Sequence, residues 1–187
     1  MGCGNSEDAG DNKTRALKRR PDFNKIAERL PVDRSADSKS KRLEIFNGFD
    51  VNGNGYLSLA EVDKGMRDIL GLDDIFEAKP VMIRAFNAAK GLNPRPGRGQ
   101  DYIEKNEFRM LLVYLSEYFK IWCVFASADD SDDRRLNNDE FAKTYPALSR
   151  WAPNMDVDTC WNAIIPENGR QILFTDFAEW AIDKQLA

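Results

Sequence analysis

The chain has 187 residues, no histidine, three cysteines and a formal net charge of −4. Without histidine it lacks the commonest general base and transition-metal ligand, which excludes every imidazole-based catalytic triad. Cys3, Cys123 and Cys160 have neither metal-binding spacing nor the density of a disulfide framework, which favours a reducing compartment. Residues 1–42 hold eleven Lys and Arg against seven Asp and Glu, whereas the remainder is acidic. A basic head on an acidic body suits a head that meets an anionic surface and a body that binds cations.

The first six residues, M-G-C-G-N-S, match an N-myristoylation signal with Gly2 as the acyl site and Ser6 at the preferred position. Cys3, next to Gly2, is a candidate for palmitoylation, although a Met-Gly start also occurs by chance in cytosolic proteins. Residues 13–20 add five basic residues and no acidic one, which suits an anionic inner leaflet. One myristoyl chain anchors only marginally, so a second signal is needed. We predict a flexible acylated head over residues 1–21.

A short N-terminal helix is predicted within residues 22–34, because apolar residues at helical spacing share one face before Pro31. These residues are Phe23, Ile26, Ala27 and Leu30. Such a face could pack on the body of the protein or lie on a lipid surface. The sequence leaves both placements open.

The twelve residues D-V-N-G-N-G-Y-L-S-L-A-E, numbers 50–61, have the ligand pattern of a calcium-binding EF-hand loop. The side-chain oxygens at positions 1, 3, 5, 9 and 12 come from Asp50, Asn52, Asn54, Ser58 and Glu61. Tyr56 at position 7 would offer its backbone carbonyl. Gly55 at position 6 supplies the positive-φ turn. Apolar residues at helical spacing on both sides predict a helix–loop–helix unit, whereas the alternative is an ordinary polar turn.

Calcium hands work in pairs, joined by a short two-stranded bridge at position 8, four residues before the terminal acid. Leu57 fills this position in the first hand, and the same spacing to an acid recurs at Ile103, Leu136 and Ile172. The last three stand 33 and 36 residues apart, while the first gap is 46. The Gly-, Pro- and Arg-rich residues 91–100 account for the extra length. The repeat predicts four hands in two lobes.

The third loop keeps its ligand oxygens but lacks the glycine at position 6. Its predicted ligands, including the carbonyl at position 7, are Asp129, Ser131, Asp133, Arg135, Asn137 and Glu140. Arg134 stands at position 6, where a positive φ costs on the order of 1 kcal/mol. The third loop has three ligand carboxylates against two in the first, so charge partly offsets this strain. The alternative is a solvated acidic turn.

The second and fourth hands are predicted to be degenerate. The second, numbers 87–107, has twenty-one residues where twelve are needed, and the fourth begins with the apolar Ile165. The fourth also carries Pro166, Arg170 and Leu173 within the loop.

We therefore predict an all-α fold with four EF-hands, two competent and two degenerate, and two bound Ca²⁺ ions. The pairs span residues 35–116 and 117–187. The apolar run between hands two and three is too charged to span a bilayer.

Several runs of sequence are more specific than the calcium loops alone. They are the M-G-C head, R-L-E-I-F-N-G-F-D, A-F-N-A-A-K, E-F-R-M-L-L-V-Y, Y-P-A-L-S-R-W-A and F-T-D-F-A-E-W-A. With these runs the chain resembles the flagellar calcium-binding proteins, or calflagins, of kinetoplastid protists. The resemblance implies a dually acylated calcium sensor on the inner face of the flagellar membrane, with Gly2 and Cys3 as lipid sites. That family binds calcium mainly through its third and fourth hands, whereas this chain has lost the fourth loop and has a fully equipped first.

The leading functional hypothesis is a calcium sensor on the cytoplasmic face of a flagellar or plasma membrane. Calcium would expose an apolar groove for an amphipathic helix from a protein partner or from the chain's own head. Its predicted lining includes Phe46, Met66, Phe119 and Trp122. The alternatives are a calcium buffer and a calcium-dependent regulatory subunit not tied to the flagellum. No enzymatic activity and no nucleic-acid partner are expected.

Overall fold

The computed structural model describes residues 22–73, 75, 78–92, 101–165 and 169–184, apart from five side chains. Those side chains are Phe23, Asn24, Ala27, Arg150 and Trp151. The predicted acylated head, with both lipid sites and the basic stretch, lies outside the described residues. The described part is mostly helical and falls into two compact units that divide between Trp122 and Cys123. The sequence placed this division after residue 116.

The described chain contains helices of 5 to 21 residues and two small sheets. The first unit contains α1 (Phe23–Arg29), α2 (Ala36–Phe49), β1 (Tyr56–Leu57), α3 (Leu59–Asp68), α4 (Lys79–Ala89), β2 (Ile103–Glu104) and most of α5 (Phe108–Ala128). After the end of α5, the second unit contains β3 (Arg135–Leu136), α6 (Asn138–Ala142), α7 (Tyr145–Trp151), α8 (Val157–Ile164), β4 (Ile172–Leu173) and α9 (Phe174–Asp183).

Helix α1 packs against the rest of the first unit. Asp22 caps its N-terminus through the side-chain oxygen. Ile26 is fully buried and Leu30 is 3% exposed, so the part of the apolar face that the structure describes is covered by protein. This decides between the two placements that the sequence left open. Phe23 and Ala27, which were predicted on the same face, have side chains outside the described set.

Helices α2 and α3 of the first hand meet at an aromatic cluster. Phe46 and Phe49 of α2 each contact Phe108 of α5 edge to face, with ring centroids 5.4 and 5.7 Å apart. Gly65 of α3 allows the close approach, because a Cβ at this position would stand 2.2 Å from the ring of Phe49. The two helices that flank the first loop are therefore held together at a glycine–aromatic contact.

Short antiparallel ladders join the loops in pairs. Leu57 of β1 pairs with Ile103 of β2, and Leu136 of β3 pairs with Ile172 of β4. All four side chains are fully buried. The pairing predicted from the aliphatic residue four places before each acid is confirmed. Because two-stranded ladders are marginal alone, the helices packed around them must supply most of the stability.

Aromatic rings also form the core of the second unit. Phe125, near the end of α5, contacts Phe174 and Phe177 of α9 with ring centroids 5.6 and 5.7 Å apart. Phe141 of α6 contacts Trp161 of α8 at 5.4 Å and Phe177 at 6.4 Å. These edge-to-face contacts connect the helices on both sides of the third and fourth loops.

Helix α5 has 21 residues and is long and apolar enough, by length and composition, to cross a membrane, so the prediction that this run is too charged to span a bilayer is wrong. Half of its most apolar stretch is buried inside the protein. Phe108 and Phe119 are buried in the first unit and Phe125 is buried in the second. Burial in these two cores accounts for its hydropathy. Where the sequence predicted helices joining the second and third hands, the structure has one continuous helix.

We expect Gly65→Ala to lower the free energy of unfolding by about 1–3 kcal/mol, because the added methyl overpacks the core against the Phe49 ring. Urea denaturation of the calcium-free protein measures this. Gly48→Ala is the matched control, since its Cβ would meet only the side chain of the exposed Ile69, whose terminal methyl lies at 3.0 Å. Equal unfolding free energies for the two variants would contradict the proposed close approach.

Candidate metal centres

The first loop folds around the side-chain oxygens at its start. Asp50, the residue after α2, accepts the N–H groups of Asn54 and Gly55 at 3.0 and 2.8 Å, one through each carboxylate oxygen. The side-chain oxygen of Asn54 accepts the N–H of Tyr56 at 2.8 Å. The predicted ligands at positions 1 and 5 therefore hold the turn closed on itself.

Glu61 closes the first loop from its other end. Its Oε2 accepts the N–H and the hydroxyl of Ser58 at 2.9 and 2.7 Å. Its Oε1 accepts a hydrogen bond from Nδ2 of Asn52 at 2.7 Å. The predicted ligands at positions 3, 9 and 12 are thus brought into one hydrogen-bonded group.

The start of the third loop makes the same contacts at the same positions. Asp129 accepts the N–H groups of Asp133 and Arg134 at 3.3 and 2.9 Å, again one through each carboxylate oxygen. The carboxylate of Asp133 accepts the N–H of Arg135 at 2.9 Å. Although its residues at positions 5 and 6 differ from those of the first loop, the third loop wraps its first carboxylate in the same way.

Glu140 closes the third loop as Glu61 closes the first. Its Oε1 accepts the N–H of Ser131 at 3.0 Å, and its Oε2 accepts the N–H of Asn137 at 3.1 Å. Positions 3, 9 and 12 are joined here too. All the predicted side-chain ligands of each loop therefore belong to its own hydrogen-bond network.

The backbone is left-handed at positions 4 and 6 in both loops. In the first loop these are Gly53 and Gly55, with φ of 69° and 81°. In the third they are Asp132 and Arg134, with φ of 57° and 63°. The positive φ predicted at position 6 is confirmed. Asp132 adds a second left-handed residue that was not predicted from the sequence. Aspartate tolerates this conformation, but its presence does not by itself indicate a positive φ.

The acid at position 12 is a helix cap as well as a candidate ligand. In the second loop Glu107 accepts the N–H of Glu104 at 2.9 Å, and in the fourth Asp176 accepts that of Leu173 at 3.4 Å. The terminal acids of loops one and three make the same contact. Because the cap occurs even where the ligands are missing, it is not by itself a sign of calcium binding.

The second and fourth loops depart from the ligand pattern where the structure describes them. Helix α4 runs to the buried Ala89, so Asn87 lies inside the helix. The prediction that the second loop begins at Asn87 is therefore wrong. Residues 93–100 lie outside the described chain. In the fourth loop Ile165 directly follows α8, as predicted, and offers no side-chain oxygen. Residues 166–168 are also outside the description.

Gln171 of the fourth loop reaches a predicted ligand of the third. Its Nε2 donates to Oδ2 of Asp133 at 3.4 Å, and its Oε1 accepts from Nη1 of Arg135 at 3.2 Å. Sequence analysis missed this residue, because glutamine at position 7 has no ligand signature. The only available signal was its place beside Ile172, whose ladder with Leu136 brings the two loops together.

Burial raises the pKa of Asp129, and the nearby negative charges of Asp133 and Glu140 raise it further. The N–H groups of Arg134 and Asp133 oppose this by stabilising the carboxylate. A bound cation would favour the charged form of Asp129, whereas a proton would compete with the cation as the pH falls. The electrostatics of the third loop therefore suit a cation.

Both loops offer hard oxygen donors, which suit Ca²⁺ better than transition metals. Among the described residues, no three of the types His, Cys, Asp and Glu gather into a metal-binding group. Amide, hydroxyl and backbone carbonyl oxygens must complete both ligand sets, as in other EF-hand loops. With that contribution the residues present fit the ion.

Paired helix–loop–helix units with oxygen side chains at these positions define an EF-hand protein. A family model described as the FCaBP EF-hand domain matches residues 26–115. Together with the full-length relatives that follow, this match shows that the chain belongs to the family of flagellar calcium-binding proteins.

Relatives from trypanosomes match along most of the chain. Flagellar calcium-binding protein TB-17 of Trypanosoma brucei brucei is 34% identical, and the alignment covers 100% of this chain and 86% of TB-17. TB-1.7G of the same organism is 35% identical over 97% of this chain and 80% of its own length. The flagellar calcium-binding protein of Trypanosoma cruzi is 28% identical, with coverages of 85% and 77%. The family predicted from the sequence motifs is confirmed.

We expect Arg134→Gly to tighten calcium binding by the third loop, by about tenfold if strain of about 1.4 kcal/mol is relieved. The loop holds Arg134 at a φ of 63°, which glycine adopts without a steric penalty. Calorimetric calcium titration in a Glu61→Gln background, which leaves the third loop as the remaining candidate site, measures the change. Arg134→Ala is the control, because it removes the charge but keeps the Cβ. Identical affinities for the alanine and glycine variants would contradict the strain argument.

Proposed function

We propose that this protein is a calcium sensor that binds two Ca²⁺ ions, one in the first loop and one in the third. The observation that carries the proposal is the shared hydrogen-bond pattern of these loops, in which position 1 holds the turn and position 12 reaches positions 3 and 9. The proposed side-chain ligands are Asp50, Asn52, Asn54, Ser58 and Glu61, and Asp129, Ser131, Asp133, Asn137 and Glu140. Tyr56 and Arg135 would add backbone carbonyls.

The second and fourth loops would act as braces for their occupied partners. Each is joined to a candidate calcium loop by a ladder of buried aliphatic residues. Each also keeps the terminal acid that caps its exit helix. A complete four-hand framework would therefore hold two ions, with the other two hands serving as structural supports.

A sensor differs from a buffer in that calcium opens an apolar groove. Phe46, Met66, Phe119 and Trp122, the predicted groove residues, are all buried in this structure. This burial suits the closed form of a sensor, from which reorientation of α2 and α3 would expose apolar surface to an amphipathic helix of a protein partner. Calcium-dependent retention on an apolar resin separates the sensor from a buffer, which would not be retained.

We propose that the protein lies at the cytoplasmic face of the flagellar membrane. The names of its relatives support the flagellum, and the Gly2, Cys3 and basic-head motifs support the membrane. In this proposal the acyl chains hold the head at the inner leaflet, while the calcium-binding body interacts with a partner. The protein would be a non-enzymatic regulator.

Calorimetric titration should give two specific Ca²⁺ ions per chain. Glu61→Gln and Glu140→Gln should each remove one ion, because each glutamate is expected to donate two carboxylate oxygens to its ion. The matched control is Glu107→Gln, which changes a capping acid of the same type in a loop that we propose to be empty. Loss of an ion in this control, or retention of both ions in either loop variant, would contradict the assignment.

Gly2→Ala should release the protein from the membrane fraction, because it blocks myristoylation and with it the membrane contact that palmitoylation of Cys3 needs. Cys3→Ser should leave weak, salt-sensitive association supported by the five basic residues of the head. Fractionation at low and high salt measures both effects. A Gly2→Ala form that stays in the membrane pellet would contradict this anchoring scheme.

A further inference from the structure

Residues 22–33, here called the N-terminal strap, contain α1 and the turn that leads towards α2. The strap belongs to the first unit, and its two apolar anchors are among the best-buried residues of that unit. Ile26 is fully buried and Leu30 is 3% exposed. A seven-residue helix has little stability of its own in water, so these contacts must hold α1 in place.

Two arginines of the surrounding helices bind the C-terminal half of the strap. Arg42 of α2 donates through Nη1 to the carbonyl oxygens of Pro31 and Asp33, at 2.7 and 2.6 Å. Arg109 of α5 donates through Nε to the carbonyl oxygen of Val32 at 3.0 Å. These hydrogen bonds have a charged donor and are therefore stronger than those between neutral groups. They fix the strap to the entry helix of the first hand and to α5.

A third arginine connects the strap to the far side of the same hand. Arg29 of α1 donates through Nη1 to the carbonyl oxygen of Leu70 at 2.5 Å, with the Gly71 carbonyl at 3.4 Å. Both carbonyls belong to the segment that directly follows the exit helix α3. The strap therefore bridges the two helices whose relative orientation depends on the first loop.

In a sensor hand, calcium changes the angle between the entry and exit helices. A change in this angle would move α2 relative to the end of α3, so the bonds of Arg42 and Arg29 that join the strap to both could not all keep their observed lengths. We propose that the strap clamps the first hand in the closed arrangement of this structure and is released when calcium binds the first loop. The inference rests on the proposed calcium binding by that loop, and it identifies what opposes that binding.

Reciprocity gives the clamp a measurable signature. If calcium weakens the strap contacts, then weakening those contacts must tighten calcium binding by the same factor. A strap with a purely structural role would behave differently. Its loss would lower stability and leave the calcium affinity of the first loop unchanged.

The test is calorimetric calcium titration of the full chain in a Glu140→Gln background, which leaves the first loop as the remaining proposed site. Arg29→Ala combined with Arg42→Ala should tighten its affinity by about fivefold or more. The control is Arg34→Ala, which removes a positive charge from an exposed residue beside the strap and should change nothing. In a Glu61→Gln background, the double variant should leave the affinity of the third loop unchanged.

Unchanged or weaker affinity at the first loop in the double variant overturns the clamp. Absence of any calcium binding in the Glu140→Gln background instead overturns the proposed function of the first loop, and the clamp falls with it. The two failures are therefore distinguishable, because only the first leaves a binding isotherm to compare.

Hydrogen exchange on the protein with intact strap residues keeps the test independent of how the arginine variants fold. Calcium should speed exchange of the Ile26 and Leu30 amides, which donate to carbonyls within the strap, by about fivefold or more. Glu61→Gln should abolish this effect, while the Cys160 amide in the second unit serves as the internal reference. Equal exchange of the strap amides with and without calcium overturns the clamp.

Discussion

The carboxylate that ends each loop accepts the N–H of the residue three places before it, and both the fold and the candidate sites depend on this contact. It fixes where the exit helix begins and thereby sets the position of the preceding aliphatic residue in the ladder. Asp176 maintains the contact with a shorter side chain, at 3.4 Å against 2.9 Å for Glu107. A loop without its other ligands would therefore still brace its partner, since the cap acts on the helix and not on the ion.

The two candidate calcium loops reach one backbone shape by different physical means. The first uses Gly53 and Gly55 where φ is positive and has two ligand carboxylates. The third places Asp132 and Arg134 in the same conformation and has three ligand carboxylates, whose mutual repulsion helps to raise the pKa of Asp129. A bound cation relieves repulsion but not backbone strain. The third loop thus combines a stronger electrostatic attraction for the ion with a less favourable backbone.

Features that repeat along the chain were predictable from the sequence, whereas contacts that follow from no repeat were not. The spacing from Leu57 to its acid, repeated along the chain, was sufficient to predict both ladders, because register and burial follow from it. The placement of α1 was not predictable, since its apolar face suits either a protein core or lipid. Gln171 escaped notice because its contact with Asp133 exists only once the loops are paired. The end of α4 was misjudged at Asn87 because burial of Ala89 extends the helix.

The strap occupies the twelve residues directly after the proposed lipid-bearing head. While the arginines hold it, these residues add almost nothing to the distance between the acyl chains and the calcium-binding body. An extended chain spans at most about 3.3–3.6 Å per residue, so a freed strap would lengthen the tether by up to about 40 Å. Calcium at the first loop would then set how far from the bilayer the body can search for a partner, with the anchor itself unchanged. Folding and release of a short N-terminal helix would in this way adjust the length of the membrane tether.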